Sequence, residues 1–261
     1  MSHSDIPWDA PGIQEYKRKI YERSRLVLQC EIGSTVHGIA LEDQDDRDEM
    51  AIIIEPIECF VCLDHPFGSL SIRTAAEGER SKPGDTDLII HGLRKFMMLA
   101  VSANPSILLP LFVPESALIA TTLEGQRLRA MRDAFISNRV YDSFRGYMHQ
   151  QRERLIADKK KPNRPELVEA YGFDTKYAAH LIRLGYQGIE LAETGKFTLP
   201  IPQAEYVKRI RRGEIGLDVI LGEARQLIAR LENLERTNDL GEPHVERVKA
   251  FLLEMYTRFG I

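Results

Sequence analysis

Cysteine is scarce. Three residues in 261 is an odd number and too few for a disulfide framework, so a reducing, cytoplasmic setting is expected. Neither charge sign dominates: 35 Lys and Arg face 39 Asp and Glu, a formal charge of -4. That excludes a strongly basic nucleic-acid coat and leaves room only for a local basic face. Long apolar runs are missing. Phe96–Val101 and Ile107–Val113 fall well short of the ~20 residues of a membrane helix. The opening MSHSDIPWDAPG has no basic segment leading into an apolar one, so no leader and no membrane partner are expected. What remains is ordinary globular composition, 43% hydrophobic and 28% charged, in a chain long enough for one large or two small domains.

The two halves of the chain read differently. Pro11 and the spacing of Ile13, Tyr16 and Ile20 predict a helix. Leu26-Val27-Leu28 predicts a buried strand that ends at Gly33-Ser34, and Met50–Ile54 predicts a second. Between them lies the acidic stretch Glu42–Glu49. The turn chemistry of Asp64–Gly84 suits a loop or hairpin, with Phe60 and Val61 read as strand core just before it. Asp87–His91 predicts a third strand, followed by a helix bearing Leu93, Phe96, Met97 and Ala100. From about Thr121 strand signals vanish. Helices are predicted over Leu123–Phe135, Arg139–Ala157, from an Asp174 N-cap to Ala192, over Leu217–Leu234, and from Val245 to Phe259. The expected architecture is α+β: a mixed sheet with flanking helices over residues 1–118, then a helical domain over residues 119–261.

The chemistry concentrates around Gly33-Ser34 and Asp46-Arg47-Asp48. Carboxylates at i and i+2 of a strand share one face. They can offer two oxygens to one hard cation such as Mg²⁺. Gly33 allows close approach of backbone to phosphate, and Ser34 adds a hydroxyl. A third carboxylate on a neighbouring strand would complete a two-metal centre. Asp87 is the candidate and Asp85 the reserve. Standing alone, Asp-x-Asp is better explained as a solvated acidic turn.

The ordered set resembles a known family. GSTVHGIALEDQDDRDEMAIII is similar to the Gly-Ser and Asp-x-Asp signature of DNA polymerase beta-like nucleotidyltransferases. DTDLIIHGLRKFMMLAVSANPSILLPLF and FDTKYAAHLIRLGYQGIELAETGKFTLPIP resemble later segments of the stand-alone bacterial and phage branch. The resemblance implies a minimal nucleotidyltransferase domain with a helical domain closing over a nucleoside triphosphate. Gly33 and Ser34 would hold phosphates. Asp46 and Asp48 would hold Mg²⁺ (or Mn²⁺), and Asp87 would join them near the attacking hydroxyl and help deprotonate it. Arg47 and Glu49 stand where apolar residues are usual; a register slip would substitute Asp45.

On the helix after Asp174, Lys176, His180, Arg183 and Gln187 share one face. Spacing alone fits a solvated face or a phosphate contact equally; the resemblance favours the second, with the stripe facing the Gly33-Ser34 turn. Cys59-x-x-Cys62 with His65 lacks a second ligand pair, so burial outweighs zinc. Arg94-Lys95, His37 and His91 either line the pocket or pack. Lys159–Arg164 reads as a solvated turn, with some scope for touching a polyanion. The expected function is metal-dependent nucleotidyl transfer to an unspecified hydroxyl of a small molecule, a protein or a nucleic-acid end. The alternative is a protein of the same fold that binds or senses nucleotide without turnover.

Overall fold

A computed structural model describes residues 15–41, 46–61, 67–75, 81–157 and 162–259. Pro11, Ile13, Asp45, Cys62, His65 and Lys159–Lys161, which entered the sequence reading, lie outside the described residues. The elements run α1 (Glu15–Arg23), β1 (Arg25–Ile32), α2 (Gly33–Val36), β2 (Arg47–Ile54), α3 (Glu58–Val61), β3 (Ser69–Arg73), β4 (Thr86–Gly92), α4 (Leu93–Val101) and α5 (Pro105–Leu108). They continue with β5 (Leu118–Thr121), α6 (Leu123–Ala130), α7 (Arg139–Ala157), α8 (Pro165–Tyr171), α9 (Thr175–Thr194), α10 (Ala204–Arg211), α11 (Leu217–Thr237) and α12 (Val245–Arg258). The α+β architecture expected from the sequence is present.

The chain divides into two compact units. The first comprises Met1–Val101, Ile107–Phe135 and His244–Ile261; the second comprises Ser102–Ser106 and Ile136–Pro243. The first holds a five-stranded mixed sheet of order β3-β4-β2-β1-β5. Only β2 and β4 pair in parallel; the other neighbours are antiparallel. β2 is central, and Met50–Ile54 are all buried, as an apolar, β-branched run flanked by strands on both sides requires. One sheet face packs Ala51, Ile53, Leu70, Ile72, Leu88 and Ile90 against Tyr21 of α1. α4 packs on β2 and β4, and α12 packs on α4.

Glu55 joins α12 to the sheet. Its Oε2 accepts from Leu93 N at 2.8 Å and from Tyr256 OH at 2.8 Å. Burial raises the carboxyl above its ordinary range and raises the phenol strongly, so Tyr256 stays a donor.

The Asp64–Gly84 stretch supplies β3, which pairs antiparallel with β4, so the hairpin reading holds where residues are described. The strand-core reading of Phe60-Val61 is corrected. They belong to the helical turn α3, and Val61 is 67% exposed. β5 was not foreseen; four half-buried residues make too short a run for periodicity to register.

The second unit is helical, with α9 packed against α7, α10 and α11. Asp174 caps α9: its Oδ1 accepts from Lys176 N at 2.9 Å and Tyr177 N at 3.1 Å. Gly185 and Gly188 let α7 approach closely, because a Cβ at either would fall 2.9 Å from Met148 or Phe144 carbons. No described helix is long and apolar enough to cross a membrane.

Candidate metal centre

Strand register builds the centre. β1 pairs with β2 through Ile32↔Asp48, and β2 pairs with β4 through Asp48↔Asp87. Register partners project from the same face about 4.8 Å apart, so the two carboxylates are neighbours. Asp46 precedes Asp48 by two residues and shares its face. One carboxylate oxygen from each of Asp46, Asp48 and Asp87 lies within 4.8 Å of the others, and all three residues are half-buried. Three convergent hard oxygens suit Mg²⁺ or Mn²⁺ better than a soft metal.

Gly33 follows directly on the Ile32–Asp48 pair and turns the chain into α2 with φ +77°. A Cβ there would fall 2.8 Å from Asp48 Cβ and closer still to Oδ2. Glycine therefore serves two needs, the left-handed turn and the room for Asp48. His37 is buried and donates Nδ1–H to the Gly33 carbonyl, bracing that turn. Ser34 is half-buried on α2.

Asp87 has partners that the sequence reading missed. Arg73 lies opposite it in register across β3 and β4, with Nε 3.2 Å from both carboxylate oxygens. Ser81 Oγ donates to Asp87 Oδ1 at 2.6 Å and accepts from Arg73 Nη2 at 2.8 Å. The alternation Leu70-Ser71-Ile72-Arg73 carried a signal for this strand, but its pairing with β4 is a long-range fact.

Asp85 does not join the cluster. Its carboxylate accepts from Lys82 N at 2.7 Å and from Thr74 Oγ1 at 3.1 Å, which closes the turn before β4.

Arg47 and Glu49 project from the opposite face. Glu49 is buried and pairs with Arg47 Nε at 2.8 Å, while its other oxygen accepts from Gln29 Nε2 at 2.7 Å. Arg47 also lies 3.3 Å from Glu31. The unusual residues thus neutralise one another in the sheet and leave the register of the aspartates intact.

In the helical unit, Lys176, His180 and Arg183 lie along one face of α9 and are half-buried. Burial, then Arg183, Arg154 and Arg164, push the His180 imidazole down to about 3, so it is neutral at physiological pH. Burial lowers the Arg183 guanidinium to about 10. Arg183 Nη1 donates to Gln187 Oε1 at 2.7 Å. Arg164 pairs with Asp174 at 3.0 Å and stacks on Tyr177. The stripe is a half-buried basic cluster. His91 is also buried, and burial with Lys95 nearby lowers it to about 4.

A sheet strand ending in a glycine turn thus leads to paired aspartates at the start of the next strand and a third aspartate in register beside them. The chain belongs to the RlaP family, the RNA repair pathway DNA polymerase beta family, which matches residues 13–258. A solved nucleotidyltransferase-like protein from Exiguobacterium sibiricum is similar at 11% identity and a TM-score of 0.31, over 94% of this chain and 78% of that one. No curated protein matches the chain.

Proposed function

We propose that this protein is a metal-dependent nucleotidyltransferase that moves a nucleoside monophosphate from a nucleoside triphosphate to an acceptor hydroxyl, releasing pyrophosphate. The observation that carries the reading is the convergence of Asp46, Asp48 and Asp87 within 4.8 Å. The description of the family as belonging to an RNA repair pathway favours an RNA end as the acceptor.

The three aspartates fit a resident Mg²⁺ or Mn²⁺ by donor type and by the room that Gly33 leaves beside Asp48. When bound, such cations neutralise phosphate charge and acidify the attacking hydroxyl. Asp46 and Asp48 hold them from one strand, and Asp87 from the next. Arg73, with Nε 3.2 Å from both Asp87 oxygens, orients this carboxylate. Gly33 and Ser34 hold phosphate oxygens, Lys176 and Arg183 offset the phosphate charge that remains, and the neutral His180 donates a hydrogen bond. The acceptor oxygen bonds to the α-phosphorus, the bond to the pyrophosphate oxygen breaks, and the acceptor proton passes to solvent. Alignment and charge neutralisation supply most of the acceleration.

A binding-only protein of the same fold rested on Arg47 and Glu49. Both lie on the other sheet face, paired with each other, so nothing there disables the centre. Incubation with each α-labelled triphosphate, Mg²⁺ or Mn²⁺, and RNA tests the proposal. Transfer of label to RNA supports it; binding of nucleotide with no labelled product in RNA or in cell extract rejects it.

A further inference from the structure

The helical unit contains a cavity of about 640 Å³ that the nucleotidyl-transfer reading does not use. α11 lines it with Val219, Gly222, Glu223 and Leu227, and Tyr186 of α9 and Tyr206 of α10 complete the walls. Tyr186 OH donates to Glu223 Oε1 at 2.6 Å, and Tyr206 OH donates to Oε2. Burial and the adjacent carboxylate raise both phenols, Tyr186 to about 12, so both remain donors at neutral pH. Each Glu223 oxygen therefore keeps one lone pair for a further donor.

Glu223 has no basic partner among the described residues; its interactions are the two phenols alone. The nearby cations are engaged elsewhere. Arg230, which also borders the cavity, pairs with Glu193 at 2.5 Å, and Arg209 pairs with Glu214 at 3.2 Å. A fixed negative charge facing a cavity and lacking a counter-cation is an electrostatic arrangement that a cationic ligand completes. Tyrosine rings around it add attraction for a cation. The apolar wall narrows the class: Val219 is 61% exposed, and Leu227 is buried behind the rim, surface that an aliphatic stem would cover.

We propose that this cavity binds an organic primary amine, with the ammonium on Glu223 between Tyr186 and Tyr206 and the aliphatic stem along Val219 and Leu227. The cavity belongs to the second unit and the aspartates to the first, and its test does not depend on nucleotidyl transfer.

The experiment is calorimetric titration of the full chain with n-pentylammonium at fixed ionic strength, with 1-pentanol as the neutral isostere. Glu223→Gln keeps an acceptor for a tyrosine and removes the charge. Gly222→Met fills the cavity from a helical position whose Cβ would meet only Arg225 Nη2, at 3.8 Å, so folding is retained. Saturable amine binding, weakened at least tenfold in both variants, absent for pentanol and unchanged in Asp48→Asn, is the expected result. No saturation with millimolar amine, equal binding of pentanol, or full affinity in Glu223→Gln overturns the proposal.

Discussion

Gly33 and Asp48 touch so closely that any side chain at residue 33 would displace the Asp48 carboxylate, a Cβ lying 2.8 Å from Asp48 Cβ. The contact follows from the Ile32↔Asp48 register, and it makes the turn and the metal ligand one structural unit. Gly33→Ala is expected to cost ~1–2 kcal/mol of stability from the left-handed backbone. Activity is expected to fall roughly a hundredfold or more, as the loss of about 3 kcal/mol of alignment would give. Thermal unfolding and Mn²⁺ titration read the two effects separately. A variant with lower stability but full metal affinity would contradict the close-contact argument.

Arg73 occupies Asp87 as a cation would, with Nε 3.2 Å from both oxygens. It therefore opposes a metal ion at the same carboxylate. Arg73 is 47% exposed, so solvent screens the effect and only a several-fold change is expected. Arg73→Gln should tighten Mn²⁺ binding roughly three- to tenfold, with Ser81 still orienting Asp87. If Arg73 matters chiefly for holding Asp87 in place, the same variant binds Mn²⁺ more weakly.

The basic stripe on α9 gives a prediction about ligand charge. Charge-assisted bonds to phosphate are worth ~1.5–3 kcal/mol each. Lys176→Ala should therefore weaken triphosphate binding roughly ten- to a hundredfold, and monophosphate binding much less. Arg183 is more deeply set and bonded to Gln187, so Arg183→Lys is the milder companion. Equal, small effects on both nucleotides would remove the stripe from the nucleotide site.

Much of this was legible in the chain because it is local. Asp46 and Asp48 share a face by strand periodicity alone, Asp174 announced the start of α9, and β2 is the β-branched run Met50–Ile54. What escaped depends on pairing over distance. Arg73 meets Asp87 only because β3 folds back on β4, and Glu55 meets Tyr256 across 201 residues of sequence. The choice of Asp87 over Asp85 was left open. Both sit near the start of one strand, and only the hydrogen bonds of Asp85 to Lys82 and Thr74 show that it closes a turn. Arg47 and Glu49 looked disruptive for the same reason: their mutual ion pair and the Gln29 bond to Glu49 lie on a face that the sequence does not display.

His91 predicts the acid behaviour of the sheet unit. Its folded value of about 4 lies below the ordinary 6.5, so the unfolded chain takes up a proton that the folded one refuses. Its contribution to stability is fully present above pH 6.5 and is lost as pH falls toward 4, a loss of at most about 3 kcal/mol. Denaturant unfolding at pH 7 and pH 4.5 should show a smaller decline in His91→Gln than in the wild-type chain. Identical declines would show that His91 is not the responsible group.

The most direct test of the central claim compares wild type with Asp48→Asn in the transfer of α-labelled nucleotide to RNA in the presence of Mn²⁺, with circular dichroism confirming that both are folded. Loss of this carboxylate should abolish labelled RNA and pyrophosphate together, a fall of at least about a thousandfold if it removes ~4 kcal/mol of transition-state stabilisation. Undiminished transfer by Asp48→Asn would contradict the aspartate centre as the seat of the reaction.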